Sequence, residues 1–126
     1  MSPDTDGILL FAHGARDPNW ARPFDEVAAR LRALAPQTAV ELAFLEFMSP
    51  TLAEAGDRLA ACGCQRVSVV PLFLGAGGHV RRDLPELLDT LAARHPGVTW
   101  QLRAAVGETE EVVAAMACSA LRLASG

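Results

Sequence analysis

The stretch VVPLFLGAGGHVRRDLP, residues 69 to 85, passes from an apolar run through a glycine cluster to a histidine, two arginines and the start of a helical pattern. That order, apolar strand, loop, amphipathic helix, is the repeating unit of a parallel sheet, because parallel neighbours can be joined only by a long crossover. The unit recurs along the chain. Strand candidates are GILLFAH (7–13), AVELAFLE (39–46), RVSVVPLFL (66–74) and VTWQLRAAV (98–106). Between them, apolar residues return at helical spacing. Phe24, Val27, Ala28, Leu31 and Leu34 form the first set, Leu52, Ala55 and Leu59 the second, and Leu84, Leu87, Leu88 and Leu91 the third. A fourth set, Val112, Val113, Met116, Ala120 and Leu121, is expected to face the core from a helix opening near Glu108. Glu108, Glu110 and Glu111 suit the positive end of that helix, and Arg122 the other end. Pro23 fits the opening turn of the first helix; Ser49 and Pro50 are the expected cap and first turn of the second, which Gly63 ends. HPG at 95–97 closes the third. The expected fold class is α/β: a four-stranded parallel sheet built from four βα units, with helices on both faces.

A chain of 126 residues, 51% of them hydrophobic, suits one domain spanning 1–126. Eleven basic against 15 acidic residues give a net charge of -4, and no basic, aromatic-rich surface marks a nucleic-acid binder. The opening MSPDTDG is no signal peptide, and no apolar run approaches the roughly 20 residues that span a bilayer. No membrane association and a cytoplasmic location are therefore expected. Cys62, Cys64 and Cys118 match no disulfide or zinc spacing. The first two read as small packing residues where the second helix ends, not as a metal or redox pair.

In an open parallel sheet, ligands bind beyond the carboxyl ends of the strands. Polar residues collect there. His13 ends the first strand in LLFAHGAR, Glu46 ends the second in LAFLEFMSP, and His79 follows the third in LFLGAGGHVRR. The spacing is 33 residues from His13 to Glu46 and 33 again to His79, one strand-helix unit each. Singly, each is as readily a hydrogen-bonded structural residue; jointly, two imidazoles and a carboxylate make an open ligand set for cobalt, iron, nickel or zinc. His95, in RHPG, reads instead as a helix C-terminal residue favoured by the dipole. The GAGG loop at 75–78 lacks the lysine of a phosphate loop and the setting of a dinucleotide fingerprint, so no nucleotide is expected. Its bare backbone suits close approach of a large flat ligand. Arg16, Arg81 and Arg82 could pair with ligand carboxylates, although such arginines are commonly solvated charges.

Three segments carry a resemblance to a known family. FAHGARDP resembles the HGSRDP opening, AFLEFMSPTLAEA the FLE-x-x-x-P-S/T-L segment, and VVPLFLGAGGHVRRDLP the PLFL-x-x-G-x-H-x-x-x-D-[IL]-P segment of the small sirohydrochlorin chelatases of the CbiX and SirB type. The likeness runs over about residues 7–121. It implies a chelatase-like three-layer α/β/α fold and insertion of a divalent metal into sirohydrochlorin, a lyase-class reaction of cobalamin or siroheme biosynthesis that needs no ATP. The metal is a substrate: cobalt first, with ferrous iron and nickel as alternatives. The resemblance implies that His13 binds metal and accepts protons, His79 is a second ligand, and Glu46 faces metal or substrate. Leu74, Gly75, Ala76, Gly77, Gly78 and His79 would then line the substrate, with Arg16 beside them. It further implies a homodimer. The chain carries neither the histidine-rich tail nor the cysteine cluster of some relatives, so no iron-sulfur centre is expected. Ala15 departs from the usual serine.

Two other classes compete. HGAR is also reminiscent of the histidine phosphatases, but those need an arginine directly before the histidine, where this chain has Ala12. A hydrolytic zinc site would use the same donors. The non-enzymatic alternative is a metal or tetrapyrrole carrier that fills the same crevice without inserting metal.

Overall fold

The computed structural model describes residues 5–75 and 77–126, the side chains of residues 79–81 excepted. Four strands form one sheet: β1 (Gly7–Ala12), β2 (Ala39–Phe44), β3 (Arg66–Pro71) and β4 (Thr99–Leu102). All pairings are parallel, in the order β2-β1-β3-β4. The helices are α1 (Arg22–Leu34), α2 (Leu52–Ala61), α3 (Gly78–Arg94) and α4 (Glu110–Ser125), with single 3-10 turns at Pro18–Ala21 and Val106–Glu108. No helix among the described residues is long and apolar enough to cross a membrane.

β1 explains the rest. Leu9, Leu10, Phe11 and Ala12 are consecutive and all buried, which requires cover on both faces. Leu9 and Phe11 point into the larger core, with Leu52, Ala55 and Leu59 of α2, Leu84 and Leu91 of α3, and Val67 and Val69 of β3. Leu10 and Ala12 point the other way, against Ala28, Phe24 and Leu31 of α1 and Val40, Leu42 and Phe44 of β2. Crossovers between parallel strands are right-handed, so those stepping in opposite directions across a sheet place their helices on opposite faces. The β1-to-β2 step sends α1 to one face; the two steps in the other sense send α2 and α3 to the opposite one. The three-layer arrangement follows.

Helix starts depart from the sequence expectation at two places. The cap of α2 is Thr51, whose hydroxyl accepts from the Glu54 amide at 3.2 Å while the Glu54 carboxylate accepts from the Thr51 amide at 2.8 Å. This reciprocal pair satisfies two free donors at once, more than Ser49 could offer. α4 begins at Glu110 rather than near Glu108, capped by the Thr109 hydroxyl. α3 begins at Gly78, so His79 lies within its first turn.

The larger departure concerns α4. None of its residues is buried, and Val113, Met116 and Leu121 are 51%, 48% and 71% exposed. The expectation that Val112, Val113, Met116, Ala120 and Leu121 face this chain's core is therefore overturned. Helical periodicity reports that a stripe needs cover, not which surface supplies it. In α1, Val27 and Leu34 likewise stay exposed, at the margin of its packed face. Of the cysteines, Cys64 is buried beneath Gly7, and burial pushes its thiol above the usual range, away from thiolate chemistry. Cys62 is exposed as the C-cap of α2, so the packing role expected for it fails.

His95, the C-cap of α3, has a specific partner besides the dipole. Its Nε2 lies 2.7 Å from Asp57 Oδ1 on α2, and the Arg94 guanidinium grips both oxygens of the same carboxylate. Hydrogen bonds from Arg94 and then His95 hold the Asp57 pKa below its ordinary value. A carboxylate with a depressed folded-state pKa stabilises the fold above its unfolded value, about 3.9, and loses that contribution as pH falls through the folded pKa. Asp57→Asn should therefore lower the melting midpoint at pH 5, and the gap from wild type should narrow as the pH falls below about 3.9 toward 3. A gap that stays constant over that range would remove Asp57 from the pH dependence.

Candidate functional site

The carboxyl ends of β1, β2 and β3 continue as a ladder into the loops beyond them. Ala12 O accepts from the Leu45 amide at 2.8 Å, and Phe11 O from the Leu72 amide at 2.7 Å. β1 thus ties the loop carrying Glu46 on one side and the loop entering GAGG on the other. His13 is the first residue past β1, and Glu46 the second past β2.

Gly14 brings the first two together. A Cβ at this position would lie 1.5 Å from the carbonyl oxygen of Glu46, a distance no side chain can tolerate. Glycine is therefore required for the backbones after His13 and before Phe47 to pass in contact. A second close approach fixes the third loop: a Cβ on Gly107 would lie 2.2 Å from Leu74 Cα, and the Gly107 amide donates to Phe73 O at 2.8 Å. The turn after β4 thus braces the segment that leads into Gly75.

The His13 imidazole stacks on Phe73, with ring centroids 4.3 Å apart and planes at 29°. His13 itself is exposed. Its backbone carbonyl accepts a 2.6 Å hydrogen bond from the indole Nε1 of Trp20. Backbone and ring are both held, while the imidazole edge faces solvent and can take a proton or offer a lone pair to a cation. Glu46 is exposed and has no hydrogen-bond or ion-pair partner among the described residues.

Phe47, directly after Glu46, takes a left-handed backbone with φ of 67°, uncommon for an aromatic residue. Its ring is 57% exposed, and the Arg16 guanidinium lies 4.5 Å from its centroid. Arg16 is thereby held beside the Glu46 loop with its charge in solvent, where it can meet an anionic group.

The structure thus brings His13, Arg16, Glu46, Leu74 and Gly75 to one edge of the sheet. Gly77 is the N-cap of α3, and the backbone of Gly78 and His79 forms its first turn. Ala76 and the side chains of His79 and Arg81 lie outside the described residues. Among the described residues, no group of three or more His, Cys, Asp or Glu side chains is gathered closely enough to hold a metal ion. Arg82 is exposed near the start of the same helix.

Aromatic residues are what the sequence reading missed. Trp20, Phe24 and Phe73 line a cavity of about 310 Å³ with His13, Leu74 and Gly75. The signal was a tryptophan set in an otherwise polar turn, DPNWARP, between a strand end and a helix. Hydrophobic periodicity discards such a residue because it belongs to neither element.

Comparison with known proteins shows the family and the fold. The model of the CbiX family matches residues 7–122. The sirohydrochlorin cobaltochelatase of Saccharolobus solfataricus is 43% identical over 82 residues, 65% of this chain and 62% of that protein; the one from Methanopyrus kandleri is 33% identical over 81 residues, 64% and 57%. The matched segment therefore spans somewhat less than two thirds of the length of these relatives. Among solved structures, a CbiX protein of Marinobacter aquaeolei VT8 superposes with a TM-score of 0.83 at 31% identity, covering 94% of this chain and 97% of its own. The sirohydrochlorin chelatase SirB of Bacillus subtilis subspecies spizizenii, in complex with cobalt, superposes with a TM-score of 0.77 at 28% identity, covering 86% of this chain and 47% of its own. With its motif-bearing loops gathered at one sheet edge and the family match spanning residues 7–122, the chain belongs to the CbiX family.

Proposed function

We propose that this protein is a sirohydrochlorin chelatase, inserting a divalent metal, cobalt first, into the tetrapyrrole. The observation that carries this reading is the contact of Gly14 with the Glu46 carbonyl, which sets an exposed imidazole and an exposed carboxylate on adjoining loops. His79, in the first turn of the helix after β3, completes the proposed donor set. Ferrous iron and nickel suit the same donors.

Metal insertion removes two protons from pyrrole nitrogens and places one dication on four ring nitrogens, so charge balances when both protons reach a base and then water. Neutral imidazole serves because its ordinary pKa, about 6.5, lies near cellular pH. His13 is the proposed proton acceptor and a metal contact, with its ring face fixed by Phe73. His79 is the proposed second contact. Glu46 holds the incoming dication or relays a proton. Open coordination by two or three side chains lets the metal be captured and then surrendered, where a closed four-ligand site would retain it. Substrate carboxylates require local donors on an acidic protein: Arg16 beside Phe47, and the amides at the start of α3. Ala15 supplies no hydroxyl for this task. The scheme consumes no nucleotide and uses no iron-sulfur centre, and it is assigned to the cytoplasm.

We also propose a homodimer. On the α1 side of the sheet, at its β4 edge, Arg66, Thr99, Gln101 and Arg103 surround a cavity of about 400 Å³. Arg103 there donates to Ser68 Oγ at 3.1 Å. α4 meanwhile carries an apolar stripe without cover, and acidic Glu110 and Glu111 in its first turn. A second copy answers both needs: its α4 fits the bare face, acid against arginine.

With purified protein, sirohydrochlorin and Co²⁺, the rate of metallation should exceed the uncatalysed rate. His79→Ala should abolish that excess with the fold intact; an unchanged rate would take His79 out of the site. Glu46→Gln should slow insertion by roughly 100-fold, in line with loss of a proton-handling group, and weaken tetrapyrrole binding far less. A shift in the tetrapyrrole spectrum without acceleration by wild type would identify a carrier. Light scattering should give twice the chain mass for wild type and the single-chain mass for the Met116→Glu, Leu121→Glu double variant. A monomeric wild type, or a variant still dimeric, would overturn the proposed assembly.

A further inference from the structure

The 310 Å³ cavity beside His13 is walled by aromatic carbon where a site built only for metal and protons would need none. Trp20 is its outer wall. The residue is 42% exposed; its ring tilts against Phe24 at a centroid distance of 5.4 Å and is pinned through its one polar atom to the His13 carbonyl. Indole has a single donor and no acceptor. With that donor spent inside the protein, Trp20 offers a ligand only its π face. A held aromatic ring gives large contact area at little entropic cost.

From this we infer that Trp20 and Phe24 form a subsite for a flat apolar group, and that Trp20 is the residue that selects for planarity. Building on the chelatase reading, the occupant is one edge of the tetrapyrrole ring. His13 is itself part of the lining, so a ring edge entering the cavity brings its nitrogens toward the imidazole. Among the described residues the cavity lining holds no arginine or lysine for its carboxylate arms, and Arg16 stands on the neighbouring loop to meet them. The two walls thus divide recognition: carbon for the macrocycle, guanidinium for its acids. Trp20 acts in binding, and His13 in proton transfer.

Trp20→Ala, Trp20→Leu and Trp20→Phe separate these roles. Metal-free sirohydrochlorin is titrated into each by absorbance, and kcat and KM are measured with Co²⁺, with melting midpoints as the folding control. Trp20→Ala and Trp20→Leu are expected to raise Kd and KM about tenfold or more, the effect of losing one aromatic stack, with kcat within about twofold. Trp20→Phe keeps a flat face without the indole N–H, and should stay within about threefold of wild type in Kd. Wild-type Kd and KM in Trp20→Ala would overturn the subsite. A fall in kcat alone, equal in Trp20→Phe and Trp20→Ala, would overturn it too, by reducing Trp20 to a support for the His13 carbonyl. Leucine matching phenylalanine would remove planarity as the selected property. Should wild type bind sirohydrochlorin but insert no metal, the chelatase reading fails while the binding series still tests the subsite.

Discussion

The constraint on which this structure rests is that β1 is hydrogen-bonded on both edges and buried on both faces. Leu9, Leu10, Phe11 and Ala12 each need a packed partner, and the partners alternate between two cores. Because β2 and β3 lie on opposite sides of β1, the chain leaves the sheet in opposite directions around it. A crevice opens where the connections diverge. The final carbonyls of β1 then hold the first amides of both neighbouring loops. Everything placed at the site edge is measured from this strand.

That dependence gives the site a mixed character. His13 lies one residue beyond a rigid strand, its ring against Phe73 and its carbonyl under the Trp20 indole, so little conformational entropy is left to lose. Glu46 and Arg16 sit on loops, exposed, the latter steadied by the Phe47 ring. On the proposed chelatase reading, a metal that is taken and then released is better served by fixed bases and adaptable acids than by a closed cage. Phe47 takes its left-handed backbone at the point where its ring meets the Arg16 guanidinium.

The opposite end of the chain shows an unsatisfied surface of a different kind. Three helices are accounted for by two cores, and α4 by neither. At the β4 edge of the sheet, Arg103 is tied to Gln101 and to the buried hydroxyl of Ser68 by hydrogen bonds. Such a face tolerates water better than a row of valines would, yet the exposed apolar stripe of α4 does not. The imbalance is what makes a second copy of the chain part of the proposal.

The alternation of apolar runs with helical patterns was enough to establish four strands, their parallel sense and the sheet edge shared by His13 and Glu46, because side-chain period and crossover length are local properties. Recognition of the three motif segments named the family on the same local grounds. Helix starts were less legible: Thr51 caps α2 where Ser49 was expected, and α4 begins at Glu110 behind its cap Thr109 rather than near Glu108, because capping depends on whether a side chain can reach a particular amide. The Trp20 wall, the contact of Gly14 with Glu46 and the bracing of Leu74 by Gly107 join residues with no periodic relation, and only the packed sheet puts them in contact. The sequence by itself determined which segments carry apolar stripes and where the chemical groups fall along each strand. Only the tertiary structure decided which apolar faces find a partner within one chain: an amphipathic stripe encodes a demand for cover, and in α4 that demand is left unmet.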